Sequence, residues 1–264
     1  PLGLPASVGV RRVAGLRNPV VTDRRTIPSP NIWHWPEIYE AENRAQDVDG
    51  AIPAELRRIA PWDGATIVDV GCGTGFHLPG FAASARRVVG IEPYEPMVRR
   101  ARVRVSGSSN VEVLTGHAEE IPLEDSVADI VHARTAYFFG PGCGAGITEA
   151  MRVLRPGGTL IVVDLDVSAS PYGHWMRADL PKYNCAAVEG FFDAQGFALR
   201  RVDTRWRFED RKTLRSVLRI EFTRRTAERA ARSVPNLEFG VRYRVHWRAK
   251  PSGLETSRLG PPSL

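Results

Sequence analysis

Cysteine and lysine are equally scarce in this chain, and long apolar runs are missing. Three cysteines in 264 residues, Cys72, Cys143 and Cys185, are too few and too scattered for a disulfide framework. None forms a C-x-x-C pair with zinc spacing, so no metal site is expected. No stretch approaches the ~18 apolar residues of a membrane span, and the first thirty residues lack the apolar core of a signal peptide. No membrane partner and cytoplasmic residence are therefore the expectations. Internal repeats are absent as well, which removes solenoids and propellers. Arginine outnumbers lysine by thirty-three to three, a bias that reads as GC-rich coding rather than as a set of phosphate contacts.

What remains is a chain that is 43% hydrophobic, long enough to bury one full-sized core. Residues 1–30, rich in Pro, Gly and Arg, read as a flexible N-terminal arm, and residues 251–264, rich in Pro, Ser and Gly, as a flexible tail. Between them, 31–250 reads as one folded domain. Cys72 and Cys143 read as packing residues of glycine-rich turns.

The most informative stretch is Val68-Asp69-Val70-Gly71-Cys72-Gly73-Thr74-Gly75-Phe76. A β-branched, apolar strand opens into three glycines spaced by single residues, a turn in which ligand atoms approach main-chain N–H groups that a Cβ would block. The following segment, 76–85, reads as the helix that packs back on the sheet, with Pro79 tolerated in its first turn. The dinucleotide fingerprint needs glycine where Phe76 stands, which disfavours a hydride-transfer enzyme. The next strand, 87–92, ends in Glu92, a carboxylate able to accept from both hydroxyls of a ribose.

With these residues the chain resembles the class I S-adenosylmethionine-dependent methyltransferases of the small-molecule type. Four ordered segments within about 55–200 carry the resemblance: the glycine run, Val89-Gly90-Ile91-Glu92-Pro93, Gly116-His117-Ala118-Glu119-Glu120-Ile121-Pro122, and Glu149 through Leu160 with Arg155-Pro156-Gly157-Gly158. The resemblance implies a doubly wound, Rossmann-like α/β fold: a seven-stranded, mostly parallel sheet, helices on both faces and the last strand antiparallel. It implies S-adenosylmethionine as cofactor, with Asp69 near its amino-acid end and Gly71, Cys72, Gly73 and Gly75 around its methionine and ribose. Glu92 would hold the ribose hydroxyls, Pro93 and Tyr94 would flank the adenine, and His117, Ala118 and Glu119 would border it. The family usually has Asp where His117 stands. A neutral histidine accepts the same N–H bond and a charged one does not.

The alternation of elements fits an α/β sandwich: strands at 87–92, 111–115, 128–133, 159–164, 197–208 and 240–249, and helices at 52–59, 95–105, 145–154 and 185–195. Ahead of them, Pro36 can start a helix that places Tyr39 and Asn43 on one face, at i and i+4, within reach of the cofactor or the acceptor. Trp33, Trp35 and Tyr39 read alternatively as a staple to the core. Ligands bind at the carboxyl ends of such sheets, which singles out Arg134, Tyr137, Asp164 and His132. Arg134 is a candidate for the methionine carboxylate or an acidic substrate, and Tyr137 for steering the acceptor. His132, His34 or His174 is a candidate base, and His132 reads also as a core histidine.

Strand 128–133 is not followed by the N/D-P-P-Y/F sequence of amino-methylating nucleic-acid enzymes, and no Pro-Cys nucleophile appears, so a nucleic-acid partner is not expected. The net charge of +6 is concentrated: residues 200–232 hold twelve basic and five acidic side chains. A helical insertion at about 209–234 carries much of that excess, with Leu214, Val217, Leu218 and Phe222 on one stripe. Trp206, Phe208, Ile220 and Phe222 are candidates for an acceptor pocket or for the core. The leading expectation is methyl transfer to O or N of a small or medium-sized molecule by in-line displacement. The alternatives are an RNA or protein methyltransferase docking through 200–232, and a non-catalytic S-adenosylmethionine-binding protein.

Overall fold

From its N-terminus the fold runs through α1 (Pro30–His34), α2 (Pro36–Ala45), α3 (Ala51–Ile59), β1 (Thr66–Val70), α4 (Leu78–Ala82), β2 (Arg87–Glu92), α5 (Glu95–Arg104) and β3 (Val111–Thr115). It continues with β4 (Ala128–Arg134), a 3-10 turn at Pro141–Cys143, α6 (Gly144–Val153), β5 (Leu154–Leu165), α7 (Tyr172–Asp179) and α8 (Cys185–Ala194). The last elements are β6 (Ala198–Arg207), α9 (Arg211–Glu221), α10 (Arg224–Ser233) and β7 (Glu238–Ala249). The computed structural model describes residues 29–136 and 140–252. The expected tail beyond 252, nearly all of the expected arm, and Tyr137 lie outside the described residues.

The seven strands lie in the order β3-β2-β1-β4-β5-β7-β6. Strands β1 to β5 are parallel. β7 runs against them: Lys250 exchanges hydrogen bonds with Gly157 and Gly158 at one end, and the Asp166 N–H donates to the Arg242 carbonyl near the other. The last strand is thus antiparallel, as the sequence predicts. β1 is buried along its whole length, which its β-branched sequence suits and which requires cover on both faces. α4 packs on β2, and α5 on β2 and β3.

Two elements differ from the sequence reading by more than two residues at an end. The helix expected over 76–85 is the single-turn α4, because Pro79 and Gly80 follow at once and leave Phe76 and His77 in the turn. β5 begins at Leu154 rather than 159, because pairing with Lys250 draws Pro156 and Gly157 into the ladder; Gly157 adopts φ +80° there.

The chain divides into two compact units, with boundaries inside β5, β6 and β7. The larger comprises Ile52–Asp164, Ala186–Val202 and the chain from Tyr243 onward. The smaller comprises the chain through Ala51, Leu165–Cys185 and Asp203–Arg242. An aromatic cluster forms the smaller unit's core: Tyr172 lies 5.0 Å from Trp206 and 5.2 Å from Phe222, ring to ring, and Trp175 lies 5.1 Å from Phe239. Trp206, Phe208 and Phe222 are buried there, so they act as core rather than as pocket wall. Among the described residues, no helix is long and apolar enough to cross a membrane.

Candidate functional site

Where β1 ends, the chain turns through Gly71, Gly73 and Gly75 with φ of +74°, +56° and +74°, a conformation that costs an L side chain about 1–2 kcal/mol per residue. The Gly71 and Cys72 N–H groups both donate to the Ile91 carbonyl, at 2.8 and 3.1 Å, so the turn is tied to β2. A Cβ on Gly71 would stand 3.1 Å from that of Ala136, and one on Gly75 3.1 Å from that of Ala101. The Cys72 sulfur occupies the space beside Gly90 that a side chain would need. Burial, reinforced by the charges of Asp69 and Glu92, holds its thiol well above the ordinary cysteine range, so it packs and does not react.

Glu92 closes β2 with its carboxylate buried. One oxygen accepts from the Gly73 N–H and the other from the Tyr94 N–H, each at 3.0 Å. Burial raises its pKa above the ordinary glutamate value, and the two N–H bonds pull the other way. A carboxylate offers about four lone-pair sites, so two stay available. Pro93 and Tyr94 follow directly. The Gly116 N–H donates to the Glu92 carbonyl and leads into a tight turn in which the Glu120 N–H donates to the His117 carbonyl. His117, Ala118 and Glu119 are half-buried in that turn, and His117 with Thr115, Gly116, Glu120 and Ile121 borders an open depression of about 570 Å³.

Asp69 lies opposite His132 in the β1–β4 register. Their side chains meet at 2.7 Å, His132 Nδ1 to Asp69 Oδ1, with exposures of 3% and 2%. The imidazole stands edge-on to Phe81 at 5.1 Å and within 6.5 Å of His77. Burial, with Arg134 next in effect, holds His77 well below the ordinary histidine value. Arg134 ends β4 with its guanidinium 5.1 Å above the Tyr243 ring.

Asp164, next to the end of β5, is fully buried, and neither oxygen has a hydrogen-bond partner among the described residues. Burial pushes its pKa up to about 7 against the pull of Arg244. Cys143 is pushed up to about 12, by burial first and by Asp164 next. Tyr39 is half-buried on α2 and Asn43 is buried on the same helix, in the smaller unit, as are the exposed His34 and His174.

Sequence reasoning missed two braces. Arg104 on α5 donates from Nε to the Thr74 carbonyl at 2.9 Å and lies over the Phe76 ring, fixing the glycine turn from behind. Arg152 on α6 holds the stretch after His117: it donates to the Ile121 and Leu123 carbonyls and pairs with Asp125 and Glu149. Arg104 sits in a helix full of arginine and Arg152 reads as an ordinary basic residue in the last turn of a helix, so nothing local distinguishes them. The Asp69–His132 pair had a signal, since each is a polar residue flanked by apolar neighbours near the carboxyl end of its strand.

The residues present fit S-adenosylmethionine. Three glycines leave a cradle open to backbone contact, Glu92 keeps lone pairs for a pair of hydroxyls, and Asp69 has one oxygen engaged by His132 and makes no other hydrogen bond among the described residues. Nothing in the set resembles a metal centre: no group of three His, Cys, Asp or Glu side chains able to hold an ion occurs among the described residues.

Comparison with known proteins agrees. The family described as "Methyltransferase domain" matches residues 68–162. The malonyl-[acyl-carrier protein] O-methyltransferase of Methylococcus capsulatus is 30% identical over 159 residues, 59% of this chain and 54% of that protein. The demethylmenaquinone methyltransferase of Clavibacter sepedonicus is 30% identical over 133 residues, 48% of this chain and 54% of that protein. The chain thus spans about half the length of the curated relatives it matches. Among solved structures, the YcgJ protein of Bacillus subtilis superposes with a TM-score of 0.56 at 17% identity, over 77% of this chain and 99% of that one, and shares the fold. The glycine turn and the acid at the end of β2 both lie within the residues 68–162 that match the methyltransferase-domain family, whose S-adenosylmethionine-dependent members this chain resembles there.

Proposed function

We propose that the protein transfers the methyl group of S-adenosylmethionine to an oxygen or nitrogen of a small or medium-sized molecule. The observation that carries this reading is the arrangement at the carboxyl ends of β1 and β2. There a left-handed glycine turn and the Glu92 carboxylate are joined by the Gly73 N–H. Two relatives are named for demethylmenaquinone and for a malonyl group on acyl-carrier protein, acceptor groups that are small and not nucleic acid, which supports a small acceptor moiety.

When bound, S-adenosylmethionine supplies an electrophilic methyl group on a sulfonium centre. The chain's own residues have to align and desolvate, since in-line displacement gains most from orientation. Asp69 is assigned to the ammonium of the amino-acid end, Glu92 to the ribose hydroxyls, and His117, Ala118 and Glu119 with Pro93 to the adenine. The backbone of Gly71, Cys72, Gly73 and Gly75 is assigned to the space between. Arg134 and Tyr137 are assigned to the acceptor side, Arg134 offering a fixed cation to a carboxylate on either molecule.

The test has two parts. Calorimetry with S-adenosylhomocysteine should show binding that Gly73→Val abolishes. Incubation with methyl-labelled S-adenosylmethionine and fractionated extract should move label into the small-molecule fraction. Undiminished binding by Gly73→Val refutes the site, and label found only in macromolecules refutes the acceptor class.

One observation favours a second reading, a macromolecular acceptor. In the segment 200–232, Arg200, Arg201, Arg205, Arg207 and Arg224 are consumed by ion pairs. Arg211 caps carbonyls at the end of α10. Lys212, Arg215 and Arg219 on α9 and Arg225, Arg229 and Arg232 on α10 stay exposed. Under this reading those six dock an anionic surface, and label transfer to macromolecules falls steeply with salt.

A further inference from the structure

We infer that His132 is a positioning residue for the cofactor, holding the Asp69 carboxylate in the orientation that receives the ammonium group. This rests on the assignment of Asp69 made above and extends it to a residue that does not touch the ligand.

A lone carboxylate in the middle of a parallel sheet is costly, because burial removes its water and the apolar strand offers nothing in return. β1 meets that cost by register. Asp69 pairs with His132 on β4 as it pairs with Gly90 on β2, and side chains opposite one another project to the same face of a sheet. Gly90 offers no side chain, so the partner comes from β4. The 2.7 Å contact joins two groups that are each almost wholly buried. A carboxylate only accepts, so Nδ1 carries the proton and donates. One oxygen of Asp69 is thereby fixed, and the plane of the carboxylate with it.

The other end of the ring shows why the role is orientation and not proton transfer. Nε2 is buried and has no hydrogen-bond partner among the described residues, and the ring lies beside Phe81 and His77. A general base must reach the proton it removes directly or through one water, and this nitrogen is buried, on a ring that packs beside Phe81 and His77. The imidazole acts on the ligand only through Asp69, as the outer partner of a coordinating side chain does elsewhere.

The experiment compares two ligands by calorimetry. S-adenosylhomocysteine carries the ammonium, whereas 5′-methylthioadenosine keeps the nucleoside and sulfur and lacks the amino-acid end. His132→Phe retains an aromatic ring and removes the donor. It should weaken S-adenosylhomocysteine about 10- to 100-fold, the span expected for a hydrogen bond to a buried charge, and leave 5′-methylthioadenosine within about twofold. His132→Asn, whose amide N–H can replace Nδ1–H, should restore most of the loss. Equal weakening of both ligands by His132→Phe shows a general loss of structure and overturns the inference, as does no weakening of either. Wild-type protein that binds neither ligand refutes the cofactor assignment itself, which is a distinct outcome. Should His132→Phe fail to fold, NMR of the wild type decides. The Nδ1-bound proton should exchange slowly and shift on adding S-adenosylhomocysteine but not 5′-methylthioadenosine. A resonance that stays in place, or moves equally with both, overturns the inference.

Discussion

Replacing Glu92 by glutamine changes one atom, yet it is expected to weaken S-adenosylhomocysteine binding by about 2–4 kcal/mol, or roughly 30- to 1000-fold. The carboxylate accepts from the Gly73 and Tyr94 N–H groups at 3.0 Å each, one on each oxygen. A glutamine can present its oxygen to one of those donors, and its amino group then confronts the other. One charge-assisted bond, worth about 1.5–3 kcal/mol, is lost in the free protein. Half of the lone pairs that remained for the ribose hydroxyls vanish with it.

The two losses separate by assay. The first appears as a lower melting temperature without ligand. The second appears in calorimetry, where a 2′-deoxy analogue should cost the wild type more than the variant.

Acidity adds an independent check. Burial raises the Glu92 pKa above 4.5, so between the unfolded and the raised folded value the folded chain binds the extra proton. In that window this residue's contribution to stability falls as pH rises. Ribose hydroxyls donate to the ionised form, so cofactor binding releases that proton and wild-type affinity declines as pH falls through the raised value. The glutamine variant has no such limb. Binding within threefold of wild type at neutral pH, or an equal deoxy penalty in both proteins, refutes the assignment.

Arg152→Lys should lower stability by about 2 kcal/mol in urea unfolding, because an ammonium cannot span two carbonyls and two carboxylates as the guanidinium does. Gly173→Ala should destabilise by about 1–3 kcal/mol in the same assay, since its Cβ would stand 2.4 Å from the Val167 carbonyl oxygen. Asp164 has its pKa raised from 3.8 to about 7, so its buried carboxyl detracts from stability progressively as pH rises across that interval. Unfolding of Asp164→Asn from pH 4 to 8 should therefore show the variant gaining on the wild type by up to about 4 kcal/mol; a constant difference across that range refutes the shift.

Parts of the structure were legible residue by residue. Gly71, Gly73 and Gly75 announce left-handed backbone because other side chains resist that conformation. β1 and β2 announce themselves by apolar runs that only a doubly covered strand needs. The end of β2 then places Glu92 beside the turn, since β1 and β2 are consecutive and parallel. α7 was not legible, because Pro171 and Gly173 resemble loop residues and its helix is held by the aromatic cluster around Tyr172 and Trp175.

What the sequence by itself determined, then, is the cofactor turn, the order of strands and helices, and the acid that follows, all consequences of local conformational preference and short connections. Tertiary structure alone decided which polar groups meet. Asp69 and His132 are sixty-three residues apart and become partners only because β4 lies beside β1 in one register. Likewise, the arginines of β6 find carboxylates while those on the outer faces of α9 and α10 remain in solvent. Pairing between distant side chains depends on strand register and helix packing, which the whole chain must settle together, whereas the handedness of a glycine is settled where it stands.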